Sequence, residues 1–394
     1  MSVLRILMIS TEYPPMQGGV GRYCKKLVDS LEKEGMQVFV VSDQGGHGDY
    51  NGISPNNKNN SRILLEIVKK VKPDIVHVQY EHGLYGIHLD PLNPRKTHTN
   101  IESFYDECTV PIVTTFHSAY TFTQWMKLVV PLKNRIFGPL GTWIKMAYDY
   151  WTHLINYQSF NLLNRKKIGH NRAGVVFSKY LGKLIPGSTL IYHGAEPSTS
   201  PPLDRNEVRR MFSLPERDNI ALAVGFMTAT KGWDIIGKMK VPDGWKVVIN
   251  TSRNHYGREK LSNNFENKGV VNLNRGFLSD RDLSLLFYCA DALILPYKVS
   301  SGSGVMYDGL AHGLPFVSSK LEFFKEFSKM KLGITANRNP VDFSNSLREL
   351  EVNYKQYKDA VLKLRKHLLW KEVAKKHIAL YNSIITNAGI PLVK

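Results

Sequence analysis

Lys231 and Asp308 are the side chains whose type and setting point most directly to chemistry. Lys231 lies in A-V-G-F-M-T-A-T-K-G-W-D (Ala223 to Asp234), and Asp308 lies in D-A-L-I-L-P-Y-K-V-S-S-G-S-G-V-M-Y-D-G-L-A-H-G-L-P-F-V (Asp291 to Val317). Each stretch reads as a strand, a glycine turn and the start of a helix. Glycine lets the backbone approach a ligand closely, and the N–H groups of a helix start favour an anion. A lysine entering the second helix adds a full charge to those donors and suits a diphosphate. One such turn occurs in many open α/β sheets; two on one sheet imply a nucleoside-diphosphate ligand. A third turn, T-E-Y-P-P-M-Q-G-G-V-G-R-Y, opens a helix ending near Gly35 with Gly18, Gly19 and Gly21. It does not match G-x-G-x-x-G, and only Asp43 lies near the end of the second strand, which counts against a dinucleotide oxidoreductase. A plain tight strand-to-helix turn is the other reading of it. His117 ends the strand Pro111 to Phe116, where open α/β sheets place ligand-binding residues; a structural hydrogen bond is the alternative role.

These residues need an alternating strand and helix frame, and the apolar pattern supplies it. Residues 3 to 10, Gln37 to Ser42, P-D-I-V-H-V-Q-Y before Glu81, Pro111 to Phe116 and Gly174 to Ser178 read as strands of one domain. Continuous apolar runs of this kind suit parallel strands covered on both faces. P-S-T-S-P-P-L-D-R then reads as a linker. Beyond it come a helix from Arg205 to Phe212 and strands Ile220 to Gly225, Lys246 to Thr251, Val270 to Leu273 and Ala292 to Pro296. Ser279 is predicted to cap a helix with Asp282 in its first turn. Trp233 is expected in the core, and Tyr354 to Ile385 as one long lysine-rich helix. The polar stretch from Asp43 to Ser61 reads as mobile surface, followed by a helix from about Arg62 to Val71. His82, His88 and His98 lack the i, i+4 spacing of a helical metal site and are expected as exposed loop residues.

The bulk properties narrow the class. With 394 residues the chain has room for two domains with cores of their own. Its 43% hydrophobic and 22% charged residues are ordinary for a globular protein. Cys24, Cys108 and Cys289 sit in unrelated contexts, suggesting neither a disulfide framework nor a zinc site and favouring a reducing compartment. M-S-V-L-R-I-L-M-I-S is too short an apolar run for a signal peptide and reads as a buried strand, and no apolar span is long enough to cross a membrane. The net charge of +18 attracts polyanions. No nucleic-acid-binding signature is present, so a membrane face or a phosphorylated substrate is the preferred partner; a generally basic surface chosen for solubility is the bland alternative.

The composition shifts sharply between Tyr120 and His170, which hold ten aromatic residues and seven Lys or Arg against the single acid Asp149. Lysines interleaved with apolar residues favour lying in a membrane interface over spanning it. Anionic headgroups would add about 1 kcal/mol per nearby basic side chain. An amphipathic insert packed on the protein's own sheet is the competing reading, and coincident basic and aromatic enrichment favours the membrane surface.

The paired pattern G-x5-K-G (Gly225 to Gly232) followed by a Pro-led loop and D-G-L-A-H-G-L-P (Asp308 to Pro315) resembles the C-terminal half of the retaining GT-B glycosyltransferases of family 4 (glycosyl transferases group 1). G-G-V-G-R-Y, T-F-H, V-F-S-K and T-L-I-Y-H-G-A-E are similar to elements of the N-terminal half and the interdomain crossing. The resemblance covers nearly the whole chain. It implies an α/β, GT-B fold: two Rossmann-like domains facing each other across a cleft, with the C-terminal helix crossing back to the N-terminal domain. The expected division is 1–196 for the N-terminal acceptor-side domain with its basic aromatic insert at about 120–170, 203–370 for the nucleotide-sugar-binding domain, and 371–394 for the crossing helix.

The same resemblance implies site roles. His117 would contact the donor sugar, with Ser118 standing where an aspartate is usual. The turn at Gly18 and Gly19 would face the donor phosphates, Lys231 would neutralise the diphosphate, and the backbone at Gly276 and Phe277 would meet the base. Phe226 occupies the place of a phosphate-binding arginine, for which Arg253 is the candidate substitute, and His193 stands where asparagine is more usual. Asp308 takes the position of the carboxylate that holds the ribose hydroxyls. Ser300, eight residues earlier, replaces the glutamate that holds the sugar, with hydroxyls and N–H groups of Ser301, Gly302, Ser303, Gly304 and Val305 as substitutes. The implied reaction is metal-independent retaining transfer of a hexose from a nucleoside-diphosphate sugar, a co-substrate with no other cofactor, to a glycan or lipid-linked acceptor. His117 and Lys231 are the catalytic candidates, the setting is cytoplasmic and peripheral on the inner membrane face, and an anionic membrane surface is a further partner. The departures at Phe226 and Ser300 motivate the alternative of a catalytically silent subunit of a membrane-associated glycosylation complex that binds nucleotide or glycan.

Overall fold

A computed structural model describes residues 3–88, 90, 93, 96–129, 139–256 and 267–387, without the side chains of 128–129, 139–149 and 152–153. The chain divides into two compact units, Met1–Tyr192 with Val373–Lys394, and His193–Glu372.

The first unit is built on a sheet of β1 (Arg5–Ile9), β2 (Gln37–Ser42), β3 (Tyr50–Asn51), β4 (Ile75–Tyr80), β7 (Ile112–Phe116), β8 (Arg172–Val176) and β9 (Ser188–Leu190), with a small hairpin of β5 (Ile87–His88) and β6 (His98–Thr99) beside it. The strand order is β3-β2-β1-β4-β7-β8-β9, and every pairing is parallel. The side chains of β4 and β7 are buried without exception, as continuous apolar strands between helical layers must be. The helix Gly19–Lys33 buries Tyr23, Cys24, Leu27, Val28 and Leu31 along one stripe. The helix Trp370–Asn387 buries Val373, Ala374, His377, Tyr381, Ile384 and Ile385. Its residues from Val373 onward belong to this unit, so the chain returns at its end to where it began.

The second unit has a parallel sheet of β10 (Asn219–Phe226), β11 (Trp245–Ser252), β12 (Val270–Asn272), β13 (Ala292–Leu295), β14 (Phe316–Ser319) and β15 (Gly333–Ala336), ordered β12-β11-β10-β13-β14-β15. Trp233 lies in its core with Trp245, Ile249, Ile294 and Phe343, as expected. Arg205 and Arg209 both pair with Asp291, at 2.9 and 3.1 Å, and Arg209 also donates to the carbonyls of Pro215, Glu216, Asp218 and Cys289, tying the first helix of the unit to the start of β13. Ser279 accepts from the Asp282 N–H as predicted for a helix cap.

Several expectations are corrected. The stretch after Asp43 is not plain surface: it contributes the edge strand β3, buries Ile53 completely, and uses the side chain of buried Asn60 to close a loop onto Ser54. His82 is buried, with its ring edge-on to Phe160 at 4.5 Å, because the aromatic segment covers it. The C-terminal helical run is broken: Tyr354–Arg365 ends in a 3-10 turn at Lys366–Leu368, whose Leu368 carbonyl accepts from the Ala195 N–H, before Trp370 opens the last helix. The three cysteines are free thiols. Among the described residues, no helix is long and apolar enough to cross a membrane.

Candidate active site

Each sheet reverses its winding direction once, and ligands of open α/β sheets bind beyond the carboxyl ends of the strands at that reversal. In the first unit it lies between β1 and β4, in the second between β10 and β13. The residues that follow these strands therefore form two candidate sites, one in each unit.

In the first unit the loop after β1 carries Glu12. This buried carboxylate accepts from the N–H groups of Val20 and Gly21, at 2.9 and 3.0 Å, at the start of the helix Gly19–Lys33. A Cβ on Gly18 would overlap the Glu12 carboxylate, which explains the glycine there. The turn at Gly18 and Gly19 thus differs from a turn with its N–H groups turned to a phosphate: two of those groups hold an internal anion. After β4 comes Glu81, whose Oε1 accepts from Ser118 Oγ at 3.2 Å. Burial, and secondarily the nearby Glu12, pushes the Glu81 carboxyl above its ordinary range, while the bond from Ser118 acts the other way. After β7 stands His117. Its Nε2 lies 2.9 Å from Gln79 Oε1, and its ring sits edge-on to Tyr23 at 5.2 Å and to Phe177 at 5.3 Å. One nitrogen of His117 is therefore engaged by the protein.

In the second unit Lys231 does not enter a helix directly. It ends a 3-10 turn, Ala229–Lys231, and Gly232 with φ of 77° turns the chain into the helix Trp233–Lys238. A Cβ on Gly232 would overlap the Pro296 carbonyl oxygen, so the turn after β10 presses on the turn after β13. Lys298 N–H donates to the Thr230 carbonyl at 2.8 Å, and Lys231 Nζ stands 4.0 Å from the ring centre of Tyr297. An aromatic face at this distance attracts the ammonium without neutralising it. The two glycine cradles read from sequence are thus one structure. Ser303 caps the helix Gly304–Ala311 by accepting from the Met306 N–H at 3.2 Å, with Tyr297 Oη 3.3 Å from the same hydroxyl. Asp308 is buried in that helix.

The other predicted residues fall around this core. Ser300 and Ser301 are buried, and Ser300 Oγ donates to the Gly302 carbonyl at 2.7 Å, so that hydroxyl shapes the turn. Gly302, Gly304 and Val305 line the same turn and helix start, half-buried. Phe226 faces Phe277, their rings near parallel with centres 6.5 Å apart. An apolar pair therefore stands where the resemblance calls for an arginine. Asn250 holds the turn beside them, accepting from Arg275 N–H at 3.0 Å and donating to the Gly276 carbonyl at 2.8 Å. Arg253 is exposed beyond the end of β11.

Three further residues lie at these sites. His193 Nδ1 donates to the Gly194 carbonyl, its ring stacks on Tyr307 at 5.4 Å, and its Nε2 lies 3.3 Å from where a Cβ on Gly304 would be. The sequence signal for it is the histidine in place of asparagine in I-Y-H-G. Glu12 and Glu81 are the others, and their only signal is position at the ends of β1 and β4. Among the described residues, no group of three His, Cys, Asp or Glu could hold a metal ion.

Two Rossmann-like parallel sheets, each with one winding reversal, and a last helix returning to the first unit define a GT-B fold. Residues 17–155 match the family model described as Glycosyltransferase Family 4, the family that the sequence resembles. The chain is similar in structure to a glycosyltransferase from Rickettsia africae (TM-score 0.67, 15% identity, covering 98% of this chain and 100% of that one). It is also similar to sucrose-phosphate synthase from Thermosynechococcus elongatus (TM-score 0.66, 13% identity, 97% and 99% covered). A third similar structure is Anabaena HepE in complex with UDP-glucose (TM-score 0.60, 12% identity, 97% and 98% covered). No curated protein matches the chain.

Proposed function

We propose that this protein is a retaining, metal-independent glycosyltransferase that moves a hexose from a nucleoside-diphosphate sugar to a glycan or lipid-linked acceptor. The observation that carries the reading is Lys231 held 4.0 Å over Tyr297 between the two fused glycine turns of the second unit. There the ammonium and the N–H groups opening the helix Gly304–Ala311 share the work of receiving a diphosphate. In the transition state the departing diphosphate gains charge, and preorganised donors stabilise it without reorganising. The acceptor hydroxyl attacks the sugar on the face that the diphosphate leaves, the new C–O bond forming as the sugar–phosphate bond breaks, and the leaving phosphate oxygen takes the acceptor's proton, so neither a carboxylate nucleophile nor a separate base is needed. Asp308 would accept the ribose hydroxyls, the Gly276 and Phe277 turn would meet the base, and His117 the sugar. That HepE, similar in fold, is described with UDP-glucose supports a donor of this class.

The test is a thermal-shift panel of UDP, GDP, UDP-glucose and GDP-mannose on the wild type and Lys231→Ala. A ligand at about a hundred times its dissociation constant stabilises by about 2.7 kcal/mol, which is readily seen. A shift with one base that is lost in the variant, followed by turnover that withstands EDTA, supports the reading. Binding without turnover on any acceptor would favour the silent-subunit reading, which the engaged Ser300 hydroxyl and the apolar Phe226 motivate.

The proposal extends to a cytoplasmic setting on the inner face of a membrane, with an anionic surface as partner. Exposed Tyr150 and Trp151 on the helix Pro139–Lys166 support it. Lys133 and Arg135 lie outside the described residues, as does the side chain of Lys145. Flotation with anionic liposomes should weaken on reversing these three charges; unchanged flotation removes the membrane from the proposal.

A further inference from the structure

Beneath His117 a chain of buried polar groups runs to the C-terminal helix. His77 and Gln79 are alternate residues of β4 and share a face; in the parallel register Gln79 is level with Thr115 of β7, and His77 with Met8 of β1. His77, Gln79, Thr115 and Tyr381 are fully buried. His77 Nδ1 lies 2.6 Å from Tyr381 Oη, and His77 Nε2 lies 2.7 Å from Thr115 Oγ1. The Gln79 amide nitrogen faces His77 Nε2 at 3.4 Å and the Met8 sulfur at 3.2 Å, while its Oε1 faces His117 Nε2 at 2.9 Å.

The donor and acceptor inventory makes these bonds interdependent. The Met8 thioether only accepts, so it is served by the NH2 end of Gln79. That end also needs an acceptor at His77 Nε2, which leaves the His77 proton on Nδ1, donated to Tyr381 Oη. The Gln79 carbonyl then faces His117 and requires a proton on His117 Nε2. Burial, with the neighbouring His377 and His117, pushes His77 well below its ordinary range, so a neutral ring with one proton is what the chain must place.

We infer that Tyr381, through His77 and Gln79, is a positioning residue that fixes His117 as its Nε2–H tautomer and leaves Nδ1 as the nitrogen that accepts. The consequence for transfer rests on the proposed role of His117 at the donor sugar. Removing the Tyr381 hydroxyl leaves the His77 Nδ1–H without an acceptor. The ring then places its proton on Nε2 toward Thr115, where it opposes the Gln79 NH2 group; this outweighs the contact of that group with the weak Met8 acceptor, the amide turns over, and His117 receives a donor in place of an acceptor.

The experiment is long-range 1H–15N spectroscopy of the full chain labelled on its histidines, with Tyr381→Phe, which keeps the ring, and Gln79→Met, which removes both ends of the amide. The wild type should show His117 protonated on Nε2. Both variants should lose that signature, and turnover of UDP-glucose or GDP-mannose should fall about 10-fold with KM little changed, the scale typical of removing an orienting partner. Gln79→Met keeps the test decidable if Tyr381→Phe does not fold. A wild type protonated on Nδ1, or a His117 tautomer unmoved in the variants, overturns the inference. A tautomer that moves while turnover does not would uphold the relay and remove His117 from the proposed donor site.

Discussion

Acidification should loosen the first unit through His377. Its ring is fully buried on the C-terminal helix, 5.5 Å from His77, with Nδ1 donating to the Val373 carbonyl at 2.8 Å and Nε2 without a hydrogen-bond partner. Burial lowers its pKa from 6.5 to about 4, only partly opposed by the bond to Val373. The unfolded chain therefore binds this proton more readily than the folded one. The stability that comes from keeping the ring neutral is complete above 6.5 and is lost as pH falls toward 4. Integrated over that span the loss is about 3 kcal/mol, of which about 2 kcal/mol is gone between roughly pH 7.5 and pH 5. His377→Gln removes the titration and keeps a donor for Val373. Its baseline cost is the same at every pH, so the observable is the difference between wild-type and variant curves. Urea unfolding across this range should show the two converging as pH falls, by about 2 kcal/mol at roughly pH 5. His82, lowered to about 3 mainly by burial, contributes to both curves and cancels. Parallel curves would mean that His377 is protonated in the fold or accessible to water, and would refute a neutral ring held by burial.

Three further outcomes follow from packing and charge. Gly232→Ala places a Cβ on the Pro296 carbonyl in a left-handed backbone whose cost is roughly 1–2 kcal/mol before the overlap is counted. Calorimetry should show the second unit melting lower, and the nucleotide-dependent thermal shift should disappear. Lys167, fully buried, donates to both oxygens of Glu102 at 2.8 and 2.9 Å beneath the rings of Tyr80 and Tyr105. Lys167→Met alone should cost about 3–5 kcal/mol in urea unfolding, and the double change with Glu102→Gln should recover much of it, because the penalty lies in a buried charge left alone. Phe226→Arg restores a cation beside the Lys231 turn and should tighten nucleotide diphosphate about tenfold or more by calorimetric titration, since charge-assisted hydrogen bonds are worth roughly 1.5–3 kcal/mol.

The strands were legible because parallel sheets demand unbroken apolar runs, and I-L-M-I, I-V-H-V and A-L-I-L announce burial on both faces. The turns were legible because only glycine permits the approach of Gly232 to Pro296. The polar partners were not. Glu12 is eight residues from the N–H group of Val20 that it satisfies, and His77 is 304 residues from Tyr381; nothing periodic links such positions. His82 looked like a loop histidine because its cover, the ring of Phe160, belongs to another element. Spacing puts Lys231 at a helix start, but Gly232 inserts a left-handed residue between them, a detail of backbone that spacing alone does not carry.

The carboxylate of Glu12 on the first helix has a consequence for how the chain would discriminate among ligands. Glu12 and Glu81, at the ends of β1 and β4, are acceptors of a sign that would suit the hydroxyl groups of a sugar better than a phosphate. The second unit offers the cation and the N–H groups. Under the proposed function, ionic strength should weaken nucleotide binding through Lys231 while leaving recognition of a neutral polyol by the first unit nearly unchanged, giving the chain one salt-sensitive and one salt-indifferent ligand.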